Sequence, residues 1–232
     1  MLKRHWSIIA VCSLAACGAE APAPEPAATA TPGAEAASEM PVMGPERRIL
    51  AFGDSLFAGY NLDQGESYPA RLEAALRARG INARVSNAGV SGDTTAAARQ
   101  RLTFTLDAQD SPPELVIVEF GGNDLLRNLP PAETRANLAA MLDELAKRDI
   151  PVLLMGMRAP PNLGAEFQRE FDGIYPALAK EYGAALVPFF IESVYDQPQL
   201  IQSDRIHPTA DGVETLVRAT VDDVAEALPP AE

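Results

Sequence analysis

A chain of 232 residues, 47% hydrophobic and 22% charged, has the balance of a globular protein and room for one α/β domain with a real core. Its formal net charge is -13 and no stretch forms a basic face, which argues against nucleic acid as a partner, because phosphate backbones are held by clustered Lys and Arg. Anionic polymers of any kind would be repelled.

The first residues read as a leader. Met1-Leu2-Lys3-Arg4 is a basic start, an apolar run follows from Ser7 to Ala16, and small residues precede Cys17. About ten apolar residues cannot span a bilayer core of roughly 30 Å as a helix, so the segment is a signal peptide. Leu14-Ala15-Ala16-Cys17 resembles a bacterial lipobox. That resemblance implies a lipoprotein signal over residues 1–16 and a lipidated Cys17 at the start of the mature chain. The alternative is an ordinary signal peptide cleaved near Ala16 or Ala19 without lipidation. Gly18, where lipoproteins kept at the inner membrane carry aspartate, implies a lipid-anchored protein of the bacterial cell envelope, at the outer membrane and facing the periplasm. Cleavage also removes Cys12 and His5. The mature chain then has no cysteine pair for a disulfide, and His207 is its only imidazole.

Residues 17–46 are dominated by Ala, Pro and Glu, as in Ala21-Pro22-Ala23-Pro24-Glu25-Pro26. They hold too little large apolar surface to repay the entropy of ordering, so a disordered tether is expected. It would average roughly 30 Å as a coil and reach on the order of 90 Å fully extended. The folded domain is expected over residues 47–232.

In that domain, short apolar runs alternate with helical patterns. Strands are predicted at 49–52, 83–86, 115–120, 152–157 and 185–189. Helices are predicted at 68–79, stopped by Gly80, at 94–106, at 132–148, at 165–182, stopped by Gly183, and at 210–228, closed by Pro229-Pro230. Strand and helix alternating in this way imply a parallel sheet, since each parallel crossover needs a helix-length connection and is right-handed. Leu115-Val116-Ile117-Val118 and Val152-Leu153-Leu154-Met155 are continuous apolar runs, as expected of strands covered on both faces. The expected fold is a three-layer α/β/α sandwich whose five-stranded sheet has the flavodoxin-like order 2-1-3-4-5, with the site at the switch point beside the first strand.

Four blocks fall where such a fold places a site. Gly53-Asp54-Ser55-Leu56 follows the first strand and Asn87-Ala88-Gly89-Val90-Ser91-Gly92-Asp93-Thr94 the second. Gly121-Gly122-Asn123-Asp124 follows the third, and Asp204-Arg205-Ile206-His207 precedes the last helix. Acyl transfer needs a nucleophile, a base, a group to hold the base and donors for an oxyanion. Ser55 supplies a hydroxyl. His207 is the one side chain suited to general base work near neutrality, and Asp204, three residues earlier, can fold back to accept its other ring N–H. The backbone N–H groups of Ser55 and Gly92, with the Asn123 amide, are three candidate oxyanion donors. Asp54 and Asp124 are read as loop-bracing acceptors.

These blocks resemble those of the SGNH, or GDSL, hydrolase superfamily over essentially all of residues 47–228. With Ala58-Gly59-Tyr60 and Val187-Pro188-Phe189-Phe190, they are similar to its bacterial branch of multifunctional thioesterase I, lysophospholipase L1 and arylesterase. The resemblance implies a serine esterase with Ser55 as nucleophile, Asp204 and His207 completing the triad, Gly92 and Asn123 in the oxyanion hole, and no metal or cofactor. It implies small acyl esters, thioesters and lysophospholipids as partners, with membrane contact through Cys17. Arg205 departs from the family, which often has glycine there; it could pair with Asp93 or Glu192, bind an anionic substrate group, or simply be solvated. Leu125, Leu126, Met157, Ala159, Pro160 and Ile191 follow strand ends and would line an acyl groove, or be ordinary core. Two other readings stay open: a carbohydrate O-acetyl esterase of the same superfamily, and an inactive envelope binding lipoprotein. The last would be marked by a missing triad or oxyanion residue, and none is missing.

Overall fold

The computed structural model describes residues 42–231. The expected leader, Cys17 and most of the tether lie outside the described residues.

Five strands, β1 (Arg47–Gly53), β2 (Ala83–Asn87), β3 (Leu115–Glu119), β4 (Val152–Met155) and β5 (Ala185–Val187), form one sheet in the order β2-β1-β3-β4-β5. Every neighbouring pair is parallel. The helices in chain order are α1 (Ser55–Ala58), α2 (Tyr68–Ala78), α3 (Thr95–Asp107), α4 (Gly122–Leu126), α5 (Pro131–Lys147), α6 (Ala165–Asp172), α7 (Ile174–Tyr182), α8 (Glu192–Tyr195) and α9 (Ala210–Ala227). On one face of the sheet α2 packs against α9; on the other α3 packs against α5, which also meets α6 and α7. This is the expected three-layer sandwich and strand order.

The apolar pattern accounts for the layering. All five residues of β3 are buried, because helices cover that strand from both sides. Leu50, Phe52, Leu72, Leu76, Val116, Leu138 and Val213 are all inaccessible. Each buried side chain of this size contributes about 1.5–3 kcal/mol against the entropy of ordering.

Most expected boundaries shift by only one or two residues, and three differ for a reason in the sequence. The single helix expected at 165–182 is two, parted at Gly173. Pro176, in the first turn of α7, has no N–H to give to the carbonyl of Asp172, so the ladder cannot run through. The strand expected to end at 189 stops at Val187, because Pro188 has no N–H for the sheet. The one expected to end at 157 stops at Met155, where Gly156 turns against the Pro188 carbonyl so closely that a Cβ would lie 2.4 Å from it.

The chain builds outward from β1 first to β2 and then to β3 on the other side. Between β1 and β3 the connections therefore leave in opposite directions, opening a crevice at the carboxyl ends of the strands. Ser55 follows β1 and Asn123 follows β3, so both stand at its floor.

Candidate active site

Ser55 is the first residue of α1, a single turn that Asp54 caps by accepting the Leu56 N–H at 3.1 Å. Gly59 ends the turn with φ +78°, and a side chain there would strike Ser67. The serine is thus clamped between the end of β1 and a left-handed residue only four positions on. First-turn N–H groups have no acceptor inside their own helix, which leaves the Ser55 N–H available to a ligand.

His207 comes from the far end of the chain, in the loop that leads into α9. Its Nε2 lies 2.8 Å from Ser55 Oγ, and its Nδ1 lies 2.7 Å from Asp204 Oδ2. The other Asp204 oxygen accepts the backbone N–H groups of Ile206 at 2.9 Å and His207 at 3.1 Å. Partial burial works to raise the Asp204 carboxyl, but the bonds from the His207 ring, Ile206 N–H and His207 N–H outweigh it and hold the pKa at about 2. An ionised Asp204 accepts the Nδ1–H hydrogen bond and so keeps that proton on Nδ1, leaving Nε2 as the acceptor for the serine hydroxyl. The Tyr60 ring lies over the imidazole with centroids 4.4 Å apart. Gln202 ties the loop down, its N–H donating to His207 O at 2.7 Å and its Nε2 to the carbonyls of Tyr60 and Pro208 at 2.9 Å each.

The expected oxyanion donors follow the carboxyl ends of β1, β2 and β3. Gly92 has φ +85°, a conformation that glycine adopts without penalty, and Arg127 fixes its peptide by donating to Gly92 O at 2.9 Å. Asn123 Nδ2 donates to Asp54 Oδ2 at 3.0 Å, which orients the amide and leaves its second proton free. Asp124 is buried and accepts Thr95 N–H at 2.9 Å and Thr134 Oγ1 at 3.0 Å, pinning the starts of α3 and α5. Asp54 and Asp124 are thus both loop braces, as the sequence suggested.

Beside Ser55 opens a cavity of about 460 Å³ whose exposed lining is mostly apolar. Of the six expected groove residues, Leu125, Leu126, Met157, Pro160 and Ile191 line it. Ala159 does not: it is buried, its N–H donates to Asp172 Oδ1 at 2.8 Å, and its carbonyl accepts Gln168 Nε2 at 3.0 Å, which turns the residue into the fold. Leu163, Tyr195, Ile201 and Ile206 also line the cavity and were not anticipated. Neither ion pair considered for Arg205 forms. Asp93 is taken by Arg101 at 2.6 Å, and Glu192 faces Arg158 at 3.8 Å. Arg205 instead lines the cavity, with φ +62°. That left-handed backbone is the physical reason a glycine suits the position.

A serine, imidazole and carboxylate in series at the switch point of this sheet define an SGNH-type hydrolase. The sequence profile of the GDSL-like lipase/acylhydrolase family matches residues 51–214, and the chain belongs to that family. It is 40% identical to Esterase TesA of Pseudomonas aeruginosa over 160 residues, which is 69% of this chain and 79% of that protein. It is equally 40% identical over 163 residues to Thioesterase 1/protease 1/lysophospholipase L1 of Escherichia coli, covering 70% of this chain and 76% of the relative. Among solved structures, AlinE4, an SGNH-hydrolase family esterase, is 70% identical and superposes with a TM-score of 0.69 over 81% of this chain and 100% of that one.

Proposed function

We propose that this protein is a serine esterase that hydrolyses carboxylic esters and thioesters through an acyl-enzyme on Ser55. The single observation that carries the reading is the position of His207, hydrogen-bonded to Ser55 Oγ through one ring nitrogen and to Asp204 through the other. In the first half-reaction Ser55 Oγ attacks the substrate carbonyl while its proton passes to His207 Nε2. Asp204 stabilises the imidazolium that results. The N–H groups of Ser55 and Gly92 and the free Asn123 amide proton hold the oxyanion. The leaving alcohol or thiol then takes the proton from His207. Water repeats the sequence to release the acid.

The apolar cavity favours acyl chains over an acetyl group alone, and the relatives named as esterase, thioesterase and lysophospholipase L1 support esters, thioesters and lysophospholipids as the substrate range. A fluorophosphonate probe should label wild type and fail on Ser55→Ala. Activity on p-nitrophenyl esters should hold or rise from acetyl to octanoyl. Collapse beyond two or three carbons would favour the O-acetyl esterase reading instead.

The place of work proposed is the outer membrane, through lipid on Cys17. Its support is the basic start, the short apolar run, Leu14-Ala15-Ala16-Cys17 and the following Gly18. Fractionation with metabolic palmitate labelling tests it: wild type should be labelled and membrane-bound, and Cys17→Ala unlabelled. Soluble, unlabelled wild type would remove the anchor.

A further inference from the structure

Beneath the oxyanion donors lies a carboxyl that the serine relay does not use. Glu119 ends β3, is wholly inaccessible to solvent, and stands in register with Gly53 of β1. The missing side chain at Gly53 makes room for it, since a Cβ there would lie 2.9 Å from Glu119 Oε2. Oε2 accepts the Asp54 N–H at 3.3 Å, while Oε1 is buried with no hydrogen-bond partner. Asp54, whose backbone thus meets Glu119, is also buried.

Two neighbouring carboxylates buried away from water cannot both be charged, so one of the pair keeps a proton. The surroundings decide which. Asp54 has two firm donors, Leu56 N–H and Asn123 Nδ2, at 3.1 and 3.0 Å. Glu119 has one longer bond from a backbone N–H and an oxygen that no donor meets. An oxygen that carries the proton needs an acceptor rather than a donor, which suits Oε1. Burial first, and then the charge of Asp54, push the Glu119 carboxyl well above its ordinary range. The other titratable groups against Glu119 leave this unchanged. Tyr68 of α2 and Tyr175 of α7 are buried phenols, both pushed up chiefly by burial. The Arg101 guanidinium from α3 lies on the Phe52 ring and is engaged by Asp93 and the carbonyls of Ala88 and Gly53.

We infer that Glu119 is a positioning residue: as a neutral acid it donates to Asp54, keeps Asp54 an acceptor, and so locks the Asn123 amide with Nδ2 rather than Oδ1 toward the oxyanion. Were the proton on Asp54 Oδ2, the oxygen that meets Asn123, that oxygen would donate to the amide and turn it over. An acceptor would then face the developing negative charge.

The inference rests on the reading of Asn123 as an oxyanion donor, and the experiment separates the two. Steady-state hydrolysis of p-nitrophenyl butyrate is measured for wild type, Glu119→Gln, Glu119→Met, Asn123→Ala and the double variant Glu119→Met/Asn123→Ala. Glu119→Met, which keeps volume but no donor, should lower kcat about tenfold or more with KM nearly constant. Glu119→Gln, which still donates to Asp54, should stay within about threefold of wild type. In the Asn123→Ala background Glu119→Met should change kcat by less than about twofold, because the group it acts through is gone. A full-rate Glu119→Met, or an equal loss in both backgrounds, overturns the inference. A full-rate Asn123→Ala instead removes Asn123 from the oxyanion hole. Infrared difference spectra supply a readout that does not depend on the methionine variant folding. Wild type at neutral pH should show the carbonyl stretch of a protonated carboxyl that Glu119→Gln lacks, and its absence from wild type would overturn the proposal.

Discussion

Asp204 reaches Ser55 through the ring of His207 and keeps 32% of its side chain in solvent, whereas Asp54 adjoins Ser55 in the chain and is only 2% exposed, sealed against Glu119. Both accept two or more N–H bonds. At the rim a carboxylate stays charged because donors gather on it and water is near, and it can answer a charge that appears on the imidazole. In the interior, by the inference above, the same group stays charged because its neighbour does not. In the proposed mechanism one acid serves the moving proton, and the other serves a fixed geometry.

The comparison breaks most plainly if the two acids are swapped for amides. Asp204→Asn should lower kcat on the order of 10⁴-fold with the fold intact, because an amide opposite Nδ1 stabilises the wrong imidazole tautomer. Asn123→Ala should cost roughly 10² to 10³ in kcat, the usual size for one oxyanion donor. Asp54→Asn retains one acceptor for the Asn123 amide, so its loss should stay below that range, at about tenfold. An Asp54→Asn variant as crippled as Asp204→Asn would mean that the buried acid takes part in proton transfer.

Stability against pH sharpens the contrast, since the two regions have opposite signs. The pKa of folded Asp204 is about 2, below the ordinary aspartate value near 3.9, so the unfolded chain binds more protons between them. Its contribution is present above about pH 4 and is lost as pH falls toward 2. Glu119 is raised in the folded state, so there the folded chain binds more protons and stability declines as pH rises from about 4.3, where an unfolded glutamate ionises. Replacing it by Gln removes that decline. Thermal melts should show the Tm difference between Glu119→Gln and wild type moving in favour of the variant from pH 4 to pH 8; a constant difference would mean that Glu119 is ionised in the fold.

The smallest effect belongs to the rim alone. Arg205→Gly should raise stability by about 0.5–1 kcal/mol, the left-handed strain relieved less the added freedom of the unfolded chain. Denaturant titration with an unchanged slope would register it.

How far the sequence carried this arrangement depended on whether a residue's role was local. Uninterrupted apolar runs such as Leu115-Val116-Ile117-Val118 marked the covered strands, and turn residues at their ends marked Ser55, Gly92 and Asn123. Glu119 was passed over as the next residue of an apolar run, although a carboxylate there is the very thing such a run should not contain. Ala159 misled because a small residue after a strand can face either a groove or the fold, and its bonds to Asp172 and Gln168 are made across a helix. Tyr195 and Ile206 reach the cavity from α8 and from the loop before α9, segments too short to carry a periodic signal. The split at Gly173 could have been read from Pro176.

The hydrogen bond between Ser55 and His207 joins positions 152 residues apart, one just after the first strand and the other just before the last helix. A chain that folds as it emerges from its amino end has its hydroxyl in place long before it has an imidazole. Until the segment around α9 arrives and docks beside α2, Ser55 is an ordinary alcohol in a cavity that still lacks its Ile201 and Ile206 wall. Ester cleavage is therefore a late event in the life of the molecule, and its first turnover reports that the whole sheet has closed.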